Sequence, residues 1–374
     1  MKCIQCGTDN NLKDRVANQG RCKNCNHRFA FEPTSMNSKT RFTDQFFVNL
    51  INNISANNTL YFTPKQFFYL LENKLAKKDI KTAAGGIMGL GFIFIVAGFF
   101  FLTTDIGWLL IGVGAVLFVI GGQQSQKPLK SPRSLLINQS MTEAWLQRWR
   151  QANPAPEKLL QQPREQFTPA TIESDVTAYS FDRLVVCDSA EIAQMLIANN
   201  FHFDNNCAVL SITGYPQSIF ATTMQMLRNN PDLQVYGLHD CNPSGMELVH
   251  QLQTDTKWFA QSNVVIVDVG LLPRQIMAAK RNMLVQVSEE SAKAAKALPT
   301  EIRQKLLANE LAWLESGNFV ELESFTPLGL IKILNRSLAK SRELGSEGGD
   351  LILVGDTDTY SDRDNYFYVV DSFG

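Results

Sequence analysis

Net charge is nearly absent from this chain: its 374 residues carry 35 Lys and Arg against 36 Asp and Glu, a formal balance of −1. That excludes a uniformly basic, histone-like polymer, although a whole-chain sum conceals local basic faces. No secretory leader is expected either, because Met1-Lys-Cys opens directly into a cysteine-bearing unit and not into a charged segment followed by an apolar run. Nor is there a disulfide framework. Of seven cysteines, four are regularly spaced near the N-terminus, while Cys187, Cys207 and Cys241 are scattered. An odd count of this kind fits a reducing compartment. Charge vanishes altogether over residues 83–102, and the apolar residues concentrate in and just after that block. A chain of this length is expected to hold more than one domain.

What is present begins with Cys3-x2-Cys6, fifteen intervening residues, and Cys22-x2-Cys25. Each CxxC pair forms a knuckle that turns two thiolates towards one point, and two knuckles complete the tetrahedral four-sulfur shell of a structural Zn2+. Residues 1–32 are therefore expected to be a zinc ribbon whose folding energy comes from the metal. Gly7 and Asn24 supply its turns, and His27 is a bystander to a filled shell. Such ribbons bind nucleic acid or protein, and both stay open. Residues 41–80 follow as a short helical segment. An apolar stripe at helical spacing starts at Asp44, and Thr63-Pro64 caps a second helix over 65–75.

Residues 83–122 hold two apolar runs, 83–102 and 106–122, joined only by Thr103, Thr104 and Asp105. The first has the length of a membrane-spanning helix and the second is slightly short. Glycines at 85, 86, 89, 91 and 98, then at 107, 112, 114 and 121, would let the two backbones pack closely. Lys74, Lys77, Lys78 and Lys81 precede the block; Lys127, Lys130 and Arg133 follow it. By the positive-inside rule both flanks face the cytoplasm, so the expectation is a two-pass integral membrane protein with both termini cytoplasmic. Residues 123–174 are a Pro-, Gln- and Ser-rich linker with one amphipathic run, 141–151. Its Trp145, Arg148, Trp149 and Arg150 suit either a membrane interface or packing on the soluble domain.

From Asp182 the pattern changes to alternating short apolar runs and helical stripes. Strands are expected at 184–187, 208–212, 235–240 and 264–270, with helices at 189–199, 217–229 and 243–253 between them. Further helices are expected at 288–297, 299–315 and 326–344. Alternation at this pitch implies an α/β fold, a parallel sheet with right-handed crossovers, over residues 175–345. Residues 346–374 read as a terminal β-hairpin. Its Asp356, Asp358, Asp362 and Asp364 suit an exposed turn or a hard cation. The centre of the α/β region is 235–250, where an apolar strand ends on Asp240, Pro243 and Gly245 supply a turn, and a helix starts at once. A carboxylate at the carboxyl end of a parallel strand is how such folds present ligands.

Three pieces in order resemble the Toprim domain found in the A subunit of topoisomerase VI and in the related meiotic double-strand-break protein. They are Leu-Val-Val-Cys187-Asp188, then Asp240-Cys-Asn242-Pro243-Ser-Gly245, and downstream Val269-Gly270-Leu-Leu-Pro273 with 311–325, which contains Glu321 and Glu323. The resemblance runs from Leu184 to about Leu338, under half of the chain. It implies a parallel-sheet Toprim-like domain in which a Glu after the first strand and two Asp of the second motif gather Mg2+. In that family the metal assists DNA cleavage and rejoining by a tyrosine on a separate winged-helix domain. Here Cys187 stands at the Glu position and Asn242 at the second Asp, so only Asp240 matches. A thiol is a poor Mg2+ ligand, and Asn brings no charge. Asp188, one residue along, and Glu191, one turn into the helix, are the carboxylates available nearby, against strand alternation, which turns adjacent side chains to opposite faces. Residues 63–69 are similar to the family's nucleophile helix and put Tyr69 at the tyrosine position, with Lys65 and Gln66 where the family has Arg and Asp.

The expected architecture is therefore an α/β Toprim-like domain joined to a small zinc ribbon and a transmembrane helical hairpin. The leading functional expectation is a membrane-anchored, cytoplasm-facing module that binds nucleic acid, DNA or RNA, or a protein partner, its catalytic Mg site weakened or lost. One alternative is an active Mg-dependent nuclease or strand-transfer enzyme, with Asp240, Asp188 and Asn242 on the metal and water or Tyr69 attacking. The other is a membrane scaffold with no nucleic-acid role. Arg274, Lys280 and Arg281 are the few basic residues after the fourth strand, and phosphate contacts normally call for several together. The resembled family works as dimers, which makes a homodimer a further expectation.

Overall fold

The computed structural model describes residues 1–101, 105–126, 132, 134–163, 181–228, 230, 232–260, 262–279 and 283–344. They form two compact units: Met1–Phe46 with Phe68–Pro154, and Phe47–Phe67 with the described residues from Ala155 onward.

In the first unit the two CxxC knuckles repeat one backbone pattern. The Cys3 N–H donates to Thr8 O and the Gly7 N–H returns to Cys3 O; Cys22 with His27, and Asn26 with Cys22, do the same. Gly7 and Asn26 hold φ of 71° and 60°, the left-handed region that Gly and Asn enter at least cost. The second turn residue is thus Asn26, directly after its cysteine pair as Gly7 is, and not Asn24. Between the knuckles runs the short helix α1 (Leu12–Ala17), closed by a capping box of Asn11 and Asp14. The exit of the ribbon is tied down by Asp44, the first residue of α2 (Asp44–Ile54). Its buried carboxylate accepts the Ala30 and Phe31 N–H groups at 2.9 Å each.

Helix α3 (Pro64–Phe100) is a single 37-residue helix. The sequence suggests a break between 75 and 83, but residues 76–82 contain neither Gly nor Pro and nothing there stops propagation. Helix α4 (Asp105–Gln126) runs back along it. The seam repeats every seven residues: Ala84, Gly91 and Gly98 on α3 face Gly121, Gly114 and Gly107 on α4. A Cβ on Gly91 would lie 2.7 Å from Gly114 O, and one on Gly98 2.8 Å from Gly107 O. Backbone contact this close is open only to glycine. Gly85, Gly86, Gly89 and Gly112 face open space, so only part of the glycine set builds the seam. Both helices are long and apolar enough to cross a membrane. Thr103, Thr104, Lys127, Lys130 and Arg133 lie outside the described residues.

The chain leaving α4 is bound back by Glu72 of α3, whose Oε2 accepts the Leu136 and Ile137 N–H groups at 3.1 Å each. Helix α5 (Gln139–Arg150) then starts at the Asn138 cap. Its tryptophans belong to an aromatic cluster: Trp149 stacks on Phe31, Trp145 meets Phe42 edge-on, and Phe42 meets Phe31 edge-on. Trp149 is 4% exposed. The run packs on Phe31 and Phe42 of its own unit.

In the second unit four parallel strands, β1 (Arg183–Cys187), β2 (Cys207–Ser211), β3 (Gln234–Leu238) and β4 (Val265–Asp268), form a sheet in the order β2-β1-β3-β4. Helix α6 (Ala190–Ala198) and the short α7 (Phe201–Asp204) connect the first two strands; α8 (Gln217–Arg228) and α9 (Pro243–Thr254) make the later crossovers. Downstream lie α10 (Pro273–Ala278), β5 (Gln286–Val287), α11 (Glu289–Lys296), α12 (Thr300–Arg303), α13 (Ala308–Glu315), β6 (Asn318–Phe319) and α14 (Pro327–Leu344). The single helix expected over 299–315 is two, and α7 and the antiparallel β5–β6 pair were not legible. Strand alternation sorts the core. Val185, Cys187, Tyr236 and Leu238 pack with α6 and α14, while Leu184, Val186 and Val235 pack with α8 and α9. The hairpin expected over 346–374, with Asp356, Asp358, Asp362 and Asp364, lies outside the described residues, as do Lys280 and Arg281.

Candidate functional site

From β1 the chain crosses to β2 on one side and then returns past β1 to β3 on the other. The carboxyl ends of β1 and β3 therefore flank a topological switch point, the place where open α/β sheets leave a crevice. Asp188 leaves β1 there and Asp240 leaves β3. Their contact is direct: Asp188 Oδ2 accepts the Asp240 N–H at 2.6 Å. Alternation does separate Cys187 from Asp188. Cys187 turns into the core, fully buried, and burial pushes its thiol well above the ordinary range. Asp188, one residue past the strand, is the side chain that reaches Asp240.

Other elements converge on this pair. Cys241 and Val320 exchange backbone hydrogen bonds at 2.8 and 3.0 Å, which lays residues 320–323 beside the crevice. The Leu322 N–H then donates to Asp240 Oδ1 at 2.7 Å. Asn242 caps α9, its Oδ1 accepting the Gly245 N–H at 2.7 Å. Asn serves as well as Asp in this capping role. Any Cβ at Gly245 would overlap the Asp240 carbonyl oxygen. Beneath the turn, His239 is 1% exposed. Its Nδ1 lies 2.8 Å from Asp240 O and its Nε2 2.9 Å from Asp268 Oδ1. Both partners are acceptors, so both ring nitrogens donate and the ring is an imidazolium. Burial opposes that charge, but Asp268 outweighs it and holds the pKa up at about 9. A Cβ on Gly270 would overlap the His239 ring.

The first turn of α3 also belongs here. Lys65 Nζ lies 2.8 Å from Glu321 Oε1 and 3.4 Å from Glu323 Oε2. Thr63 Oγ1 donates to Glu323 Oε1 at 2.8 Å, and Gln66 Nε2 to Phe325 O at 3.2 Å. Burial would lower the Lys65 pKa, but Glu321 and Glu323 and then Asp240 hold it up at about 12. Burial raises the proton affinity of Asp188, of Glu323 and most of all of Asp240, where the Asp188 charge adds to it.

Residues 184–339 match the family model for the Toprim domain shared by Spo11 and the A subunit of topoisomerase 6. This part of the chain is a Toprim domain of that type. No curated protein matches the chain.

Toprim domains of this family imply Mg2+, and the donor set tests the fit. Asp240 Oδ1 is engaged by Leu322 N–H, Asp188 Oδ2 by Asp240 N–H, and the Asn242 oxygen by its capping bond. Asp188 Oδ1 alone is buried without a hydrogen-bond partner. Cys187 is withdrawn into the core. Among the described residues, the Toprim carboxylates form no group of three ligand atoms converging on one point. As arranged, the pocket does not fit a hard cation that needs several free oxygens in near-octahedral geometry. Tyr69 belongs to the first unit, where its ring is 2% exposed and tilts against Phe68.

The second candidate centre is the ribbon. The Sγ atoms of Cys3, Cys6, Cys22 and Cys25 all lie within 4.8 Å of one another, with Cys3–Cys25 and Cys6–Cys22 at 3.6 Å. Zn–S bonds of about 2.3 Å in a tetrahedron give edges of about 3.8 Å, so four thiolates here fit one ion. Buried Asn10 steadies the second knuckle, donating to Cys22 Sγ at 3.5 Å and accepting the Lys23 N–H at 2.9 Å.

Sequence reasoning missed His239, Asp268 and the roles of Lys65, Glu321 and Glu323. Glu321 and Glu323 stood inside a matching run and His239 directly before Asp240, but nothing in their spacing announced a contact.

Proposed function

We propose that this protein is a membrane-anchored nucleic-acid-binding module built on a Toprim domain whose catalytic metal site no longer operates. The Toprim match supports a nucleic-acid-related function. The observation that supports the loss of catalysis is that one oxygen each of Asp188 and Asp240 is engaged by a backbone amide, while Lys65 binds the glutamates beside them. Asp240, Asp188 and Asn242 then act in shaping the crevice floor, and Tyr69 is not required as a nucleophile. Anchoring is supported by the hairpin's outer surface, where Phe92, Ile93, Phe99, Leu109 and Val116 are each more than half exposed. In water a surface of this kind is a large unfavourable apolar patch; in a bilayer it is solvated. The lysines before the block favour a cytoplasmic placement of both termini, and structural zinc in the ribbon supplies a second contact surface. A homodimer follows the family's habit.

The test uses the full chain in nanodiscs, with duplex and single-stranded DNA and RNA at several salt concentrations. Binding that weakens with salt, with no Mg2+-dependent nicking of supercoiled plasmid, is the expected result. Mg2+-dependent nicking that disappears in Asp240→Ala would establish the enzyme instead. No binding to any nucleic acid, with a protein co-purifying after nuclease treatment, would establish the scaffold.

A further inference from the structure

We propose that the Lys65 ammonium is the resident cation of the Toprim pocket, seated by its own chain on Glu321 and Glu323, beside the Asp188–Asp240 contact, where a divalent ion would otherwise collect. This deepens the reading of an inoperative metal site and rests on it.

The seat is built, not incidental. Lys65 stands in the first turn of α3, and that turn is fastened to residues 321–325 by three side chains. Lys65 pairs with both glutamates, Thr63 donates to Glu323, and Gln66 donates to the Phe325 carbonyl. Thr63 and Gln66 also cap one another, Thr63 N–H to Gln66 Oε1 at 3.0 Å and Gln66 N–H to Thr63 Oγ1 at 3.1 Å. The ammonium therefore leaves a helix end that is itself fastened by Thr63 and Gln66. Residues 320–322 are in turn pinned to the crevice by the Cys241–Val320 pair and by Leu322 on Asp240. The Lys65 charge acts on Asp188 and Asp240 as well, lowering their affinity for protons.

Charge balance makes the same case. Carboxylates gathered in a partly enclosed crevice repel one another unless a cation sits beside them. His239, fully buried nearby, spends its charge on Asp268. One ammonium with three N–H donors satisfies two glutamates without an ion from solution. With it removed, hard oxygens of Glu321, Glu323 and Asp240 lose their counter-charge, and such oxygens are what Mg2+ and Mn2+ bind.

The experiment is Mn2+ titration of the zinc-loaded, full-length chain in detergent, read by the paramagnetic signal of free Mn2+. The wild type is expected to show no saturable site beyond non-specific uptake. Lys65→Ala should gain one, at least about tenfold tighter, since the lost repulsion acts at short range; Lys65→Ala with Asp240→Asn should lose it again. Native protection of Cys187, Cys207 and Cys241 from thiol reagents certifies the fold. If Lys65→Ala fails that check, Lys65→Gln, which keeps a donor for the glutamates, is held to the same expectation. Equal Mn2+ affinity in wild type and the folded Lys65 variant overturns the proposal. Nucleic-acid binding, measured separately, decides the broader reading and is independent of that comparison.

Discussion

Replacing His239 with glutamine should remove a pH dependence and not merely some stability. In the folded Toprim unit the ring is 1% exposed, and the Asp268 carboxylate holds its pKa up at about 9 against an ordinary 6.5. A folded pKa above the unfolded one gives stabilisation that is complete below about pH 6.5 and is lost as pH rises towards 9. The difference of some 2.5 units is worth about 3 kcal/mol at most. Asp268 is held down by the same contact and adds no second share. A reporter is already in place: Cys241 is buried two residues away, so its reaction with a thiol reagent follows local opening. Peptide-resolved labelling of the wild type, corrected for thiolate fraction with an unfolded control, should lose protection by about a hundredfold between pH 6.5 and 9.5. His239→Gln should start less protected and stay nearly level across that window. A wild type whose corrected protection is the same at both ends, or a variant with the same slope, would refute the argument.

Three further outcomes follow from the geometry. Gly114→Leu should splay the hairpin, because a Cβ there meets Gly91 O at 2.6 Å, whereas Gly112→Leu meets open space; thermal aggregation in detergent should separate the two by many degrees. Cys22→Ser should reduce bound zinc from one ion per chain towards none and expose the ribbon to protease, since metal supplies about 10 kcal/mol or more of such a unit's folding energy. Asp44→Ala leaves the Ala30 and Phe31 amides without their acceptor, at about 2–5 kcal/mol, seen as faster deuterium exchange at those two amides.

Periodic features of this chain were legible and pairwise ones were not. The four strands appear in sequence because each is a short apolar run bounded by turn residues, and the crossovers because helical stripes separate them. The CxxC pairs were legible because a metal shell demands fixed spacing. The hairpin was legible by length and absence of charge, although the seven-residue seam had to be separated from glycines that face outward. Lys65 and Glu321 lie 256 positions apart, and His239 and Asp268 lie 29 apart. Contacts of that kind leave no period to detect.

The departures from the family pattern nevertheless carry physical content when read with the contacts. Asn242 in place of Asp loses a metal ligand but keeps the cap of α9, so the fold does not suffer by the change. Cys187 in place of Glu puts a small apolar side chain on the core face of β1, where a carboxylate would need a cation to justify its burial. Both changes lower the negative charge of the crevice. Of the carboxylates that remain, Glu321 and Glu323 pair directly with Lys65. That pairing is what the proposed Lys65 seat requires, and the Mn2+ comparison tests whether it is what keeps a divalent ion out.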